Sequence, residues 1–226
     1  MERLKRLWTA FSRYRSGKGF GVHSPFAFNF ILKVLEERCP YYAYPDIEEK
    51  RKTAEELCPQ GVLTRKEARL VFRVVNHFNP EKILQAGSGC GVSAVSALSV
   101  SAHSTMWLCN PSGDATAYHL LKEYSDRINF YKSAKACFND YQADKPFVVV
   151  NSVCEDEYPL VSAFIKRTVQ RDCVIIICNI VREPSSRILW KETVNAMTAG
   201  MSFTNGKIGV IVGHGKLPLM HYSFWL

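Results

Sequence analysis

The residues best placed to do chemistry form a glycine-rich turn within residues 83–94, ILQAGSGCGVSA. An apolar, strand-like stretch leads into three alternating glycines, Gly87, Gly89 and Gly91, and then into a helix-like stretch. Such a turn sets a helix N-terminus, with its main-chain amides and partial positive charge, at the carboxyl end of a strand. Open α/β sheets bind their ligands at this edge. The turn therefore predicts a ligand site.

The spacing of the glycines argues against two phosphate-binding motifs. The pattern here is G-x-G-x-G. A dinucleotide fingerprint, G-x-G-x-x-G, would need its third glycine or an alanine at position 92, where the chain has Val92. A P-loop would end in Gly-Lys-Ser or Gly-Lys-Thr, and no lysine is near. The spacing therefore favours neither motif, and a glycine turn with another ligand, or with none, stays open.

The elements that must position this turn alternate between β-branched runs and helical stretches. Strands are predicted at residues 82–86, 104–110, 128–131, 146–151 and 173–179, with helices at 114–124, 157–170 and 184–197. Continuous apolar strands predict a parallel sheet that is buried on both faces. An Asn-Gly-Lys turn at 205–207 predicts a C-terminal antiparallel strand pair. The fold class predicted is α/β, with a Rossmann-like, doubly wound, mostly parallel sheet.

The chain divides into a predicted N-terminal helical cap, residues 1–62, and a Rossmann-like domain, residues 63–226. In the cap, the Pro-punctuated segment 39–49 is predicted to be a loop, followed by a helix to about residue 60. The domain opens with a helix that carries a capping-box pattern at Thr64 and Glu67 and ends at Asn79-Pro80.

The stretch QAGSGCG after a strand, with a capped helix before it and a terminal hairpin, resembles the class I S-adenosylmethionine-dependent methyltransferases. The order of elements fits from about residue 63 to the C-terminus. The upstream segment GFGVHSPFAFNF is also similar to the N-terminal segment of a bacterial, O-methyltransferase-like group of that family. The resemblance implies S-adenosylmethionine as cofactor and methyl transfer to a small-molecule acceptor.

By this resemblance, particular residues acquire cofactor-binding roles. Gly87 and Gly89 would let the main chain approach the methionine part, Asn110 would hold the ribose hydroxyls, and Ser133 and Ala134 would lie beside the adenine. Asn151 and Asn179 end the fourth and fifth strands, where relatives carry out methyl transfer and metal ligation. The implied cofactor-binding set is Gln85, Gly87, Ser88, Gly89, Gly91, Asn110, Ser133, Ala134 and Asn151.

Five positions at or near the ends of the strands carry neutral residues here, although the matching positions are commonly acidic in the family. They are Gln85, Asn110, Ser133, Asn151 and Asn179. Replacing one carboxylate by an amide costs about 1–2 kcal/mol of binding, or about tenfold in affinity. Hard divalent cations need anionic oxygen, so amides at the ends of the fourth and fifth strands predict no metal. Three functions stay open: a metal-independent methyltransferase, which we favour, a degenerate relative that serves as a binding or assembly module, and a basic RNA-associated protein that uses the fold as a scaffold.

A general base is hard to identify from the sequence. His23, in the GVHSPF segment, is the best candidate, although a histidine that orders a turn through a main-chain hydrogen bond is the simpler interpretation. Enzymes that methylate exocyclic amino groups of bases carry Asn/Asp-Pro-Pro-aromatic after the fourth strand. This chain has Asn-Ser-Val-Cys at 151–154, which does not favour that reaction.

The net charge of +8 is concentrated in a basic amphipathic helix predicted within the first 18 residues. We favour a helix that packs on its own domain or on a partner in a homodimer over one that lies on a membrane surface. Nucleic acid as a partner rests on charge alone, and we do not favour it.

No apolar run reaches the roughly 18 residues that span a bilayer, and the charged N-terminus lacks the pattern of a secretory signal. We therefore expect no transmembrane segment and a cytoplasmic protein. The 8 cysteines are scattered, which argues against a zinc site and against a disulfide scaffold. Cys109, Cys173 and Cys178 lie in apolar runs and are predicted to be buried thiols.

Overall fold

Eight strands form one sheet in the computed structural model, which describes residues 24–58, 61–110 and 113–225. The strands are β1 (Lys82–Ala86), β2 (Thr105–Cys109), β3 (Ile128–Tyr131), β4 (Phe147–Val150), β5 (Cys173–Ile177), β6 (Met201–Thr204), β7 (Gly209–Gly213) and β8 (Met220–Ser223). Their order in the sheet is β3-β2-β1-β4-β5-β7-β6-β8. The first five strands are parallel, and β7 is antiparallel to both β5 and β6. The predicted fold class and C-terminal antiparallel pair are confirmed.

In the described residues, three α-helices precede β1 in the sequence and five lie between successive strands from β1 to β6. They are α1 (Pro25–Phe30), α2 (Tyr44–Leu57), α3 (Arg65–Phe78), α4 (Val92–Leu98), α5 (Ala115–Leu120), α6 (Ala134–Asp140), α7 (Tyr158–Thr168) and α8 (Pro184–Ala196). A π-helical segment, Ile31–Leu35, continues α1. None of the helices in the described ranges is both long and apolar enough to span a bilayer.

Two apolar clusters cover the two faces of the sheet, as the continuous apolar strands predict. All residues of β4 and β5 are buried. Side chains alternate along each strand, so Val149 belongs to the cluster under α1–α4, whereas Val148 and Val150 belong to the cluster under α6–α8. Buried residues between positions 27 and 54, among them Phe30, Leu35 and Ile47, belong to the first cluster together with residues of the strands. The domain boundary at residues 62 and 63 stays a prediction.

The helix before β1 begins and ends where the sequence predicts. Thr64 accepts a hydrogen bond from the Glu67 amide at 3.4 Å, and the Glu67 carboxylate accepts one from the Thr64 amide at 2.8 Å. This confirms the capping box. At the other end, Asn79 adopts a left-handed conformation with φ 43° and terminates α3.

Two expectations about local structure need correction. The segment 39–49 is not entirely loop, because α2 begins at Tyr44. Pro45 fits in its first turn, where the missing N–H costs no helical hydrogen bond. The chain also does not end with the antiparallel pair: β8 follows and pairs parallel to β6 at the sheet edge. Met220 and His221 of β8 are exposed, so it lacks the apolar pattern of an interior strand.

A buried cation connects α3 to the π-helical segment. Arg73 is 6% exposed and donates from Nε to the Val34 carbonyl and from Nη2 to the Leu35 carbonyl, both at 2.7 Å. These bonds satisfy carbonyls at the end of a helical segment, where no further turn supplies amides. The N-terminal segment is thereby anchored to the helix that precedes the glycine turn.

Replacing Arg73 with methionine is expected to lower the free energy of unfolding by about 2–3 kcal/mol, because two buried carbonyls lose charge-assisted hydrogen bonds. Urea denaturation measures the effect. The matched control is Arg65→Met on the same helix, where the side chain is 61% exposed and lies 3.9 Å from Glu48, and where a change below about 0.5 kcal/mol is expected. Equal effects for the two variants would contradict the anchoring role.

Candidate active site

The residues singled out from the sequence lie along the carboxyl edge of the parallel strands. Gln85 belongs to β1, and the glycine turn follows it directly. Asn110 and Asn151 directly follow β2 and β4, and Asn179 follows β5. Ser133 is the N-cap residue of α6, and Ala134 is the first residue of that helix. The topology therefore brings the implied cofactor-binding set to one edge of the sheet.

The glycine turn needs left-handed backbone at successive positions. Gly87 has φ 80°, Gly89 has φ 51° and Gly91 has φ 85°. Such values are strained for residues with a Cβ atom. Cys90, between two of the glycines, nevertheless adopts φ 58°. The turn then enters α4 through Gly91.

Asn151 packs directly against this turn. A Cβ atom on Gly87 would overlap the Asn151 carbonyl oxygen, and one on Gly89 would overlap the Asn151 side chain. The Asn151 Nδ2 atom also donates to Ser93 Oγ at 3.0 Å. Gly87 and Gly89 thus allow the β1 turn and the β4 loop to touch. Their approach to a cofactor stays a prediction.

Asn151 continues into a polar network that reaches the loop after β5. Asn179 Nδ2 donates to Asn151 Oδ1 at 2.8 Å and to the Gly61 carbonyl at 3.0 Å. Ser152 Oγ donates to Glu183 Oε1 at 2.7 Å. The Asn179 Oδ1 atom is buried and has no partner among the described residues. The network therefore leaves one buried acceptor atom unsatisfied within the described part of the chain.

Gln85 shows why a neutral residue occupies the end of β1. Its side chain is fully buried, and its Nε2 atom donates to the carbonyls of Gly87 at 3.0 Å and Ser88 at 3.2 Å. Both partners can only accept, so these bonds place the amide nitrogen on that side. An ionised carboxylate at this position could not donate to them. The Gln85 Oε1 atom is buried without a partner within the described part of the chain.

Asp114 is a site residue that the sequence analysis did not single out. Its Oδ2 atom accepts from Ser88 Oγ at 3.0 Å, and its Oδ1 atom accepts from the Thr116 amide at 2.9 Å. Its own amide donates to Asn110 Oδ1 at 3.2 Å. The sequence feature that could have identified Asp114 is its position immediately before a predicted helix. Asp114 brings a carboxylate to the position where Asn110 lacks one.

Glu183 is the second carboxylate that was missed. It is the N-cap residue of α8, immediately before Pro184. Besides accepting from Ser152, its Oε1 atom lies 3.5 Å from Asn179 Nδ2. An acidic residue just before a predicted helix was again the available signal. The edge of the sheet is therefore less neutral than its strand-end residues suggest.

Three cysteine thiols and Tyr41 pack against the apolar clusters. Cys109, Cys173 and Cys178 are buried, as predicted. Burial, more than the nearby Glu157 carboxylate, raises the pKa of Cys109 to about 12, so this thiol stays protonated at neutral pH. Tyr41 packs edge-on against Phe72, with ring centroids 5.1 Å apart. These groups are packing residues.

Two expectations concern groups that the structure does not place. His23 and the basic amphipathic helix, with its proposed homodimer contact, lie outside the described residues.

Within residues 24–58, 61–110 and 113–225, no three His, Cys, Asp or Glu side chains are grouped closely enough to hold a metal ion.

The strand order, the glycine turn after β1 and the antiparallel pair at β6 and β7 together define a Rossmann-like α/β fold. No protein-family model matches this sequence, and no curated protein matches it either. Solved structures do match. The O-methyltransferase from Bacillus cereus in complex with S-adenosylhomocysteine superposes with a TM-score of 0.56 at 14% identity, covering 92% of this chain and 99% of that one.

Two further structures give the same result. The O-methyltransferase TomG from Streptomyces achromogenes, in complex with S-adenosylmethionine, has a TM-score of 0.54 at 12% identity and covers 78% of this chain and 92% of its own. The methyltransferase PaMTH1 from Podospora anserina, bound to S-adenosylhomocysteine, has a TM-score of 0.57 at 13% identity, with 79% and 90% covered. At these identities the likeness shows the fold.

Proposed function

We propose that this protein is an S-adenosylmethionine-dependent methyltransferase that acts on a small-molecule oxygen or similar nucleophile without a metal ion. The observation that carries the proposal is a buried acceptor, Gln85 Oε1, which has no hydrogen-bond partner among residues 24–58, 61–110 and 113–225 and lies beside a left-handed glycine turn at the carboxyl edge of the sheet. An orphaned buried acceptor is costly unless a ligand satisfies it. The cofactors bound in the solved structures with this fold support the choice of ligand.

The chemistry of the side chains present fits the cofactor. Its ammonium group needs acceptors, and Gln85 Oε1 and Asn179 Oδ1 are acceptors without partners among the residues described. Its ribose hydroxyls need acceptors as well, which the Asp114 carboxylate and Asn110 Oδ1 would supply. Ser88, Gly89 and Gly91 would contact the methionine part through the main chain, and Ser133 and Ala134 would lie beside the adenine.

The protein contributes to the reaction mainly by holding two reactants in line. S-adenosylmethionine supplies a methyl group on a sulfonium centre, from which a nucleophile displaces it. Restraining donor and acceptor in one geometry converts a bimolecular step into an effectively unimolecular one. Asn151 lies at the end of β4 and is hydrogen-bonded to both Ser93 and Asn179. It would lie beside the position where the methyl group is transferred. The general base stays unassigned: His23 is the best candidate in the sequence, although a turn-ordering role is the simpler interpretation, and it lies outside the described residues.

Calorimetric titration with S-adenosylmethionine and S-adenosylhomocysteine, in the presence of EDTA, tests the proposal. We expect both to bind with dissociation constants below about 1 mM, and Asp114→Asn to weaken S-adenosylhomocysteine about tenfold, because charge-assisted bonds to hydroxyls become neutral ones. Asp172→Asn is the matched control. That carboxylate precedes β5 at the opposite end of the strand, 3.8 Å from His214, and its loss should leave affinity unchanged.

Failure of the unmodified protein to bind either compound at millimolar concentration would overturn the methyltransferase proposal and favour a binding or assembly module. Equal effects of Asp114→Asn and Asp172→Asn would leave cofactor binding intact but remove Asp114 from the ribose site.

A further inference from the structure

Two cysteines lie next to each other, one at the end of α2 and one in the glycine turn that precedes α4. Cys58 is the C-cap residue of α2, and Cys90 lies within the turn. Their Sγ atoms are 2.8 Å apart, and Cys90 Sγ lies 3.7 Å from the Cys58 carbonyl oxygen. Sulfurs in a disulfide are about 2.05 Å apart. The two side chains therefore already point at each other, and little movement separates them from a bond.

The surroundings of the two thiols differ in a way that suits oxidation. Cys90 is 4% exposed and is held by a left-handed backbone between two glycines, so its Sγ has little freedom to turn away. Cys58 is only partly buried and can be reached from solvent. Burial, followed by the contact with Cys58, raises the pKa of the Cys90 thiol. Cys58 is thus the side chain that a small oxidant meets first.

From this geometry we infer that Cys58 and Cys90 form a thiol–disulfide site that peroxides oxidise. The Cys58 thiolate attacks one peroxide oxygen and becomes a sulfenic acid, as the O–O bond breaks and the other oxygen leaves as water after protonation. Cys90 Sγ then attacks Cys58 Sγ, and the sulfenic oxygen leaves as water with the Cys90 proton. Two thiols and one hydrogen peroxide give one disulfide and two waters.

The bond would tie the glycine turn to the end of a helix that is 32 residues away in the sequence. Closing a loop of this length removes conformational freedom from the unfolded chain. The oxidised protein should therefore unfold at a higher temperature, by about 5 °C or more, than the reduced protein. This inference does not depend on the methyltransferase proposal.

Peptide mapping of the native full-length protein tests the site. The protein is reduced, titrated with hydrogen peroxide, alkylated and digested without reductant. Because trypsin leaves Cys90 and Cys109 on one peptide, chymotrypsin must follow to cleave between them. We expect the 58–90 cross-link to appear at least about tenfold faster than any other, and its peptide to be lighter than the two thiol peptides together by two hydrogen atoms.

The controls separate geometry from general reactivity. Cys58→Ser and, independently, Cys90→Ser should each abolish both the cross-link and the shift in Tm, whereas Cys109→Ser should retain both. In urea the preference for the 58–90 pair should disappear. The inference would be overturned if Cys58 and Cys90 of the native protein were still alkylated after peroxide treatment. It would also be overturned if this pair cross-linked no faster than other pairs of cysteines.

Discussion

A Gly87→Ala variant should lose about 3–5 kcal/mol of unfolding free energy, one of the two largest effects expected for a single substitution here. Alanine at φ 80° costs about 1–2 kcal/mol by itself. The new Cβ would also overlap the Asn151 carbonyl oxygen and lie 2.6 Å from that of Ser152. Both obstacles are main-chain atoms of a buried, hydrogen-bonded loop, so relief requires the turn and the β4 loop to separate.

Gly113→Ala is the matched control because Gly113 also has a positive φ, 66°, but a Cβ there would meet nothing within 4 Å. This variant should lose only the conformational cost of about 1–2 kcal/mol. Urea denaturation of both variants, monitored by circular dichroism, measures the difference. If Gly87→Ala were no more destabilised than Gly113→Ala, the tight contact between the glycine turn and Asn151 would be wrong.

A Gln85→Glu variant should be destabilised by about 3–5 kcal/mol at pH 8, the second large effect. The substitution removes the donor that bonds the Gly87 and Ser88 carbonyls and faces them with a buried negative charge. An uncompensated buried charge typically costs this much. This result would account for the amide that the chain carries at the end of β1.

The penalty for Gln85→Glu should depend on pH. Burial and two facing carbonyls raise the pKa of the introduced carboxyl above its unfolded value of about 4.3. The folded variant then binds a proton more tightly than the unfolded one, so its stability relative to the unmodified protein falls as pH rises above about 4.3. Below that pH the protonated carboxyl can again donate to one carbonyl.

Urea denaturation at pH 5 and pH 8 tests this dependence, with Gln85→Met as the uncharged control. The methionine variant should lose about 1–3 kcal/mol equally at both pH values, since it removes donors without adding a charge. A glutamate variant that is as stable as the unmodified protein at pH 8 would show that Gln85 does not hold the turn through its amide nitrogen.

Much of the architecture could be predicted from local patterns. The β-branched runs located β1 to β7, because residues buried on both faces of a sheet are apolar without interruption. Thr64 and Glu67 marked the start of α3, since a capping box involves residues only three apart. β8 was missed because it is a short, half-exposed edge strand. Short sequence patterns therefore predicted most of the secondary structure.

The chemistry of the edge could be predicted only in part. The glycine turn and the strand-end residues were identified because each follows a recognisable strand. Asp114 and Glu183 were not, because an acidic residue before a helix has the same local pattern whether it only caps the helix or also faces a site. Whether Ser88 meets Asp114 depends on how two loops, 26 residues apart in the chain, pack together.

By itself, the sequence determined the fold class and the neutral residues near the carboxyl ends of the strands, whereas a ligand site at that edge stays a prediction. Tertiary structure alone decided which side chains touch: Asn179 with Asn151 across 28 residues, and Cys58 with Cys90 across 32. The physical reason is that secondary structure follows from patterns within one element. Contacts between loops instead depend on the packing of several elements at once, which no single stretch of sequence encodes.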